Sequence, residues 1–117
     1  MNNPSYRTNF QSALSTTAVA VKTTGGHLYG IEVSNPNVVS EWIQIFDALA
    51  ADITLGTTTP KLSLAVPKGA SATDVGIMDK LWEDGIDFSI GITVYATSAP
   101  TTNGAPSTGL TANILFY

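Results

Sequence analysis

The chain has 117 residues and no cysteine, and its nine acids against five bases give a net charge of −4. That length suits one domain able to bury its own core, and the cysteine count excludes disulfides and thiolate metal sites. Arg7, Lys22, Lys61, Lys68 and Lys80 are scattered, which argues against direct nucleic-acid binding, and no apolar run approaches the ~20 residues of a membrane helix.

Only 12% of the residues are charged, about half the roughly 25% of an average soluble domain. Ser and Thr take the place of Lys and Glu. A surface so poor in ions suits a protein covered by neighbours. Residues 1–12 are polar, contain Pro4, show no periodicity and lack the charged-then-apolar layout of a signal peptide. They read as an extended arm whose Tyr6 and Phe10 lie on a neighbouring subunit, with a disordered terminus as the plain alternative. The chain thus divides into an arm, 1–12, and a β-sandwich domain, 13–117.

From Thr17 onward, apolar residues recur at every second position, as strands with one buried face require. Thr17–Thr23 and Leu28–Ser34 flank Thr24-Gly25-Gly26 and read as a hairpin, the second strand carrying Tyr29, Ile31 and Val33 on one face. Asn35-Pro36-Asn37 ends it. Trp42–Ala48 is apolar on both faces, which predicts a central strand with a layer or subunit on each side. Ala48–Asp52 is too short for a stable helix and reads as a bend. Lys61–Val66 places Leu62, Leu64 and Val66 together.

Residues 70–84 read as loop plus a short strand near Lys80–Trp82, because Gly76 weakens the helix that Val75, Met78 and Trp82 would otherwise suggest. Asp84-Gly85 reads as a turn before extended chain over Ile86–Ser89 and Ile90–Ser98. A polar loop, 99–109, precedes the final strand, Leu110–Tyr117, with Leu110, Ala112, Ile114 and Phe116 on one face. Seven or eight strands without a long helix predict an all-β antiparallel β-sandwich. A jelly-roll-like topology is preferred, and an immunoglobulin-like Greek key remains open.

Reactive groups are few. His27 lacks an evident nucleophile and reads as a turn histidine at a strand edge. Asp79, Glu83, Asp84 and Asp87 do not have the spacing of a calcium loop and read as a solvated or interface-lining acidic turn. No phosphate-cradling or hydrolase motif occurs, so no catalytic residue, cofactor site or metal site is assigned. Trp42 reads as core, and Trp82, beside acids and a glycine, as the more exposed indole.

Ala18-Val19-Ala20-Val21-Lys22, Gly26-His27-Leu28-Tyr29-Gly30, Asn35-Pro36-Asn37, Trp42–Ala48, Gly85–Ile92 and the last strand together resemble small β-proteins of tailed bacteriophages. The resemblance implies a virion component, made in the bacterial cytoplasm and sited on the capsid exterior as a decoration or cement protein. Its implied partners are the major capsid protein and further copies of itself, as a trimer, with no catalytic residues to carry over. Tyr6, Arg7, Phe10, Trp82, Glu83, Asp84 and Asn103 of the 99–109 loop are the expected partner contacts. A tail or neck connector or a small spike protein is the first alternative. A carbohydrate-binding module stacking sugars on Trp82 and Tyr95 is a more distant one.

Overall fold

Alternation of apolar and polar residues yields strands throughout. A computed structural model describes residues 6–117 and contains β1 (Arg7–Leu14), β2 (Val19–Lys22), β3 (Gly26–Asn35), β4 (Glu41–Phe46), β5 (Leu62–Val66), β6 (Gly76–Phe88), β7 (Ile92–Thr97) and β8 (Leu110–Phe116). One 3-10 turn, Ala50–Asp52, occupies the expected bend. The strands form two four-stranded sheets, sheet A in the order β1-β8-β3-β6 and sheet B in the order β2-β7-β4-β5.

The pairings β1–β8, β2–β7, β3–β6 and β4–β5 are all antiparallel. They describe one long hairpin rolled up on itself, and β3–β8 and β4–β7 complete the sheets. This is jelly-roll connectivity; the immunoglobulin-like alternative would place strands in a different order. Leu28, Ile31, Val33, Ala112 and Ile114 of sheet A meet Ile43, Ile45, Val94 and Ala96 of sheet B in the core.

The rolled hairpin corrects several local expectations. The hairpin read between Thr17 and Ser34 is absent: β2 pairs with β7 and β3 with β6 and β8, so the Gly25-Gly26 turn crosses between layers. Local turn chemistry cannot distinguish a hairpin from such a crossing. Ile31 and Val33 do face the core, but a register shift between Leu28 and Gly30 separates Tyr29 from them. The short strand expected near Lys80–Trp82 is present but much longer than read: β6 begins at Gly76, inside the stretch taken as loop, and runs for 13 residues along an edge. Asp84-Gly85 is not a turn between strands but part of a bulge inside β6. There five steps from Leu81 to Ile86 oppose two from Gly30 to Leu28. Gly85 has φ +77° and its Cα faces the Tyr29 ring, so both backbone and space require glycine.

The arm expected over 1–12 is a strand of the body from Arg7 onward, in register with β8 from Arg7↔Phe116 to Gln11↔Ala112. Sheet A supplies an open β8 edge whose hydrogen bonds residues 7–11 complete. The first five residues of that arm lie outside the described residues.

Two side-chain devices lock the ends of the sandwich. Asn35 donates through Nδ2 to the carbonyls of Val39 (3.0 Å) and Pro67 (3.2 Å), and its Oδ1 accepts from Asn37 N and Nδ2, both at 2.9 Å. Asn37 in turn exchanges hydrogen bonds with the Thr108 backbone. Three loops are thereby tied through two buried amides. At the opposite end, Asp47 accepts from the N–H groups of Ser89 (3.0 Å), Ile90 (2.8 Å) and Gly91 (3.3 Å).

Partial burial alone would raise the Asp47 carboxyl, but those three amides and the charge of Lys61 outweigh it and hold the pKa below the ordinary 3.8. A depressed folded-state pKa contributes stability above the unfolded-state value, and that contribution fades as pH falls through the folded-state value. Asp47→Asn is therefore expected to lower stability by about 1 kcal/mol at pH 7, allowing for partial exposure. In urea denaturation the gap from wild type should close as pH drops below the ordinary carboxylate range.

Candidate functional site

Each sheet turns one face to the shared core and a second face outward, and the two outer faces differ. On sheet B the outward residues of β4 and β7 include Gln44, Phe46, Thr93, Tyr95 and Thr97, all buried. Two loops of the chain itself cover them. Gln44 Nε2 donates to Thr97 Oγ1 (2.8 Å) and Thr102 O (3.0 Å), Thr97 Oγ1 to Ala99 O (2.8 Å), and Thr93 Oγ1 to Ala48 O (2.8 Å). Phe46 and Tyr95 meet edge to face with centroids 5.5 Å apart. Burial raises the Tyr95 hydroxyl pKa. The second layer expected over β4 is thus intramolecular.

Among the described residues, none forms such a cover over sheet A. Cross-strand rows run over its outer face: Thr8–Leu115–Gly30–Leu81, then Phe10–Asn113–Glu32–Asp79, then Thr111–Ser34–Ile77. Leu81 is 75% exposed, and Phe10 and Ile77 are each 59% exposed, which no interior or edge requirement explains. At one end Tyr6 packs edge to face on Tyr29 at 4.7 Å. Gly30 leaves a shallow groove of about 210 Å³ between Leu81 and Leu115. Glu32 and Asp79 are direct register partners beside it.

The expected contact residues do not gather in one patch. Tyr6 and Phe10 lie on or beside the open face of sheet A. Arg7, opposite Phe116, is exposed at the β1 edge. Trp82 is turned inward and packs against the core, because residues 76, 78 and 82 share the inner side of β6. Glu83 and Asp84 stand exposed in the β6 bulge, and Asn103 lies exposed near Gly56 in the layer covering sheet B. Trp82 and Tyr95 are both packed inside, so neither offers the stacking platform that a sugar would need.

Glu32, Ile77, Leu81 and Leu115 belong to the open face and were not singled out by sequence, and Asp79, which shares that face, was read only as part of an acidic turn. Their signal was an apolar–acidic–apolar alternation, Ile77-Asp79-Leu81, inside the stretch read as loop.

His27 and Asp87 are register partners with Nδ1 and Oδ1 2.6 Å apart, outside hydrogen-bond alignment, and with side chains 43% and 84% exposed. Ser89 lines the same shallow cavity, but the amides of residues 89–91, the nearest row that could receive an oxyanion, already hold Asp47. Among the described residues, no group of three or more His, Asp or Glu is placed to hold a metal ion.

Glu41 is the one carboxylate in the buried layer, 1% exposed, and its Oε2 has no hydrogen-bond partner. Burial raises its pKa above 4.5. A folded-state carboxyl with a raised pKa opposes folding increasingly as pH climbs from the unfolded-state value through the folded-state one. Glu41→Gln should therefore stabilise the chain at pH 7 by about 1 kcal/mol and confer nothing below about pH 4, as thermal melts at the two pH values will show.

In comparison with known proteins, the chain matches no family model, no curated protein and no solved structure.

Proposed function

We propose that the chain is a non-enzymatic structural protein of a tailed-bacteriophage particle. In this reading it is a decoration or cement protein that binds the outer face of the major capsid shell at subunit junctions as a homotrimer. The observation that carries the reading is the asymmetry of the outer faces: sheet B closes its own with two loops, while sheet A leaves Phe10, Ile77 and Leu81 in solvent. A side chain of that size gains about 1.5–3 kcal/mol when fully covered, so three uncovered ones on a single face, Phe10 on β1 and Ile77 and Leu81 on β6, are a standing incentive to adhere.

Three further points support it. The low content of ions suits a surface spent in contact. Jelly rolls recur in viral capsid and lectin domains, an analogy at the level of fold alone. The resemblance to small phage β-proteins supplies the particle. Mechanistically, each modest contact made by sheet A repeats under the symmetry of the shell, and avidity replaces any single tight site.

Copy number tests the proposal. Quantitative mass spectrometry of purified particles should find the chain on the order of hundreds of times per virion, as a repeating shell requires. About six or twelve copies would move it to the tail or neck, and its absence from particles would overturn the virion assignment.

A further inference from the structure

We infer that the groove at Gly30 receives a lysine or arginine side chain from a partner protein, presented among apolar neighbours. This rests on reading the outer face of sheet A as adhesive, and it adds the chemistry of the occupant. The groove exists because the row Thr8–Leu115–Gly30–Leu81 lacks a side chain at its third position. A Cβ at Gly30 would meet Leu81 Cδ1 and the Lys80 carbonyl oxygen at 3.2 Å and Leu115 Cβ at 3.8 Å, so the glycine keeps open a shallow groove flanked by two leucines.

The adjoining row gives the groove a charged end. Glu32 and Asp79 face each other directly across β3 and β6, and like charges in that position destabilise a sheet. Among the described residues neither has a basic group within ion-pair distance; the one such contact is His27–Asp87. Strand alternation turns the side chains of Arg7, opposite buried Phe116, and Lys80, opposite buried Ile31, toward the other side of the sheet; Lys80 lines the groove, with its carbonyl beside Gly30, and pairs with neither carboxylate.

An apolar groove ending in two carboxylates matches a long basic side chain, whose methylene stem covers apolar surface while its head stays charged. Arginine's fork suits the carboxylate pair best. A second copy docking face to face does not suit it. A two-fold contact would set one acidic pair against the other, with no basic group on either face to separate them. Nucleic acid is repelled for the same reason.

The test is an NMR titration of the full ¹⁵N-labelled chain with an extended nonapeptide of alternating apolar and polar residues and one central arginine. Saturable shifts are expected at Gly30, Glu32, Leu81 and Leu115. Replacing the arginine by neutral citrulline, or the chain by its Glu32→Gln/Asp79→Asn double variant, should weaken binding by about tenfold or more. The variant should melt no lower than wild type, since it relieves the cross-strand repulsion. No shifts at millimolar peptide, shifts elsewhere, or equal binding of the citrulline peptide would overturn the inference. Peptide binding by a chain missing from particles would leave this inference standing and remove the virion assignment; the reverse result would do the opposite.

Discussion

A two-layer sandwich gives every sheet one inner and one outer face, and covering the outer faces is the constraint on which this structure turns. Sheet B is apolar on both sides of β4, with Ile43 and Ile45 inward and Phe46 outward. Such a strand cannot stand in water on either side. The loops after β4 and after β7 therefore fold back as a third layer, and Gln44, Thr93 and Thr97 fasten their carbonyls to the sheet. The chain's long Thr- and Pro-rich connections are structural cover.

Sheet A meets the same constraint differently. Its outer face mixes exposed apolar side chains with Glu32, Asp79 and Asn113. One of its two edges is guarded: β6 carries a bulge and a charge on its inner side, Lys80, two devices that discourage strand-to-strand growth at an exposed edge. Two of the chain's few ions have defined places: Asp47 holds the 89–91 amides, and Glu41 sits in the buried layer with an unpartnered oxygen.

Much of the architecture was legible because a period of two survives in β5 and β8, where Leu62/Leu64 and Leu110–Phe116 mark the inner side, and because β4, apolar on both faces, announces a central strand. The pairing of distant strands was less legible. Gly25-Gly26 carries identical turn chemistry whether it closes a hairpin or crosses between sheets, and only β7 and β8, some 70 residues later, decide which. β6 was obscured because its bulge breaks the period at Trp82–Gly85 and because its outward residues Ile77 and Leu81 are themselves apolar. That second cause is also why the open face escaped notice: apolar residues were assigned to the core, and nothing in a single strand distinguishes an adhesive side from a buried one. Tyr6 and Phe10 stood out since aromatics are conspicuous in a polar segment, although Phe10 belongs to a strand of the body rather than to a free arm.

Side-chain labelling by hydroxyl radicals, applied to the free chain and to the chain bound to the phage particle proposed as its partner, measures the claim about outer faces most directly. Phe10, Ile77 and Leu81 should lose most of their reactivity on assembly while the 99–109 loop keeps its own. Protection of that loop with an unchanged sheet A face would contradict the account.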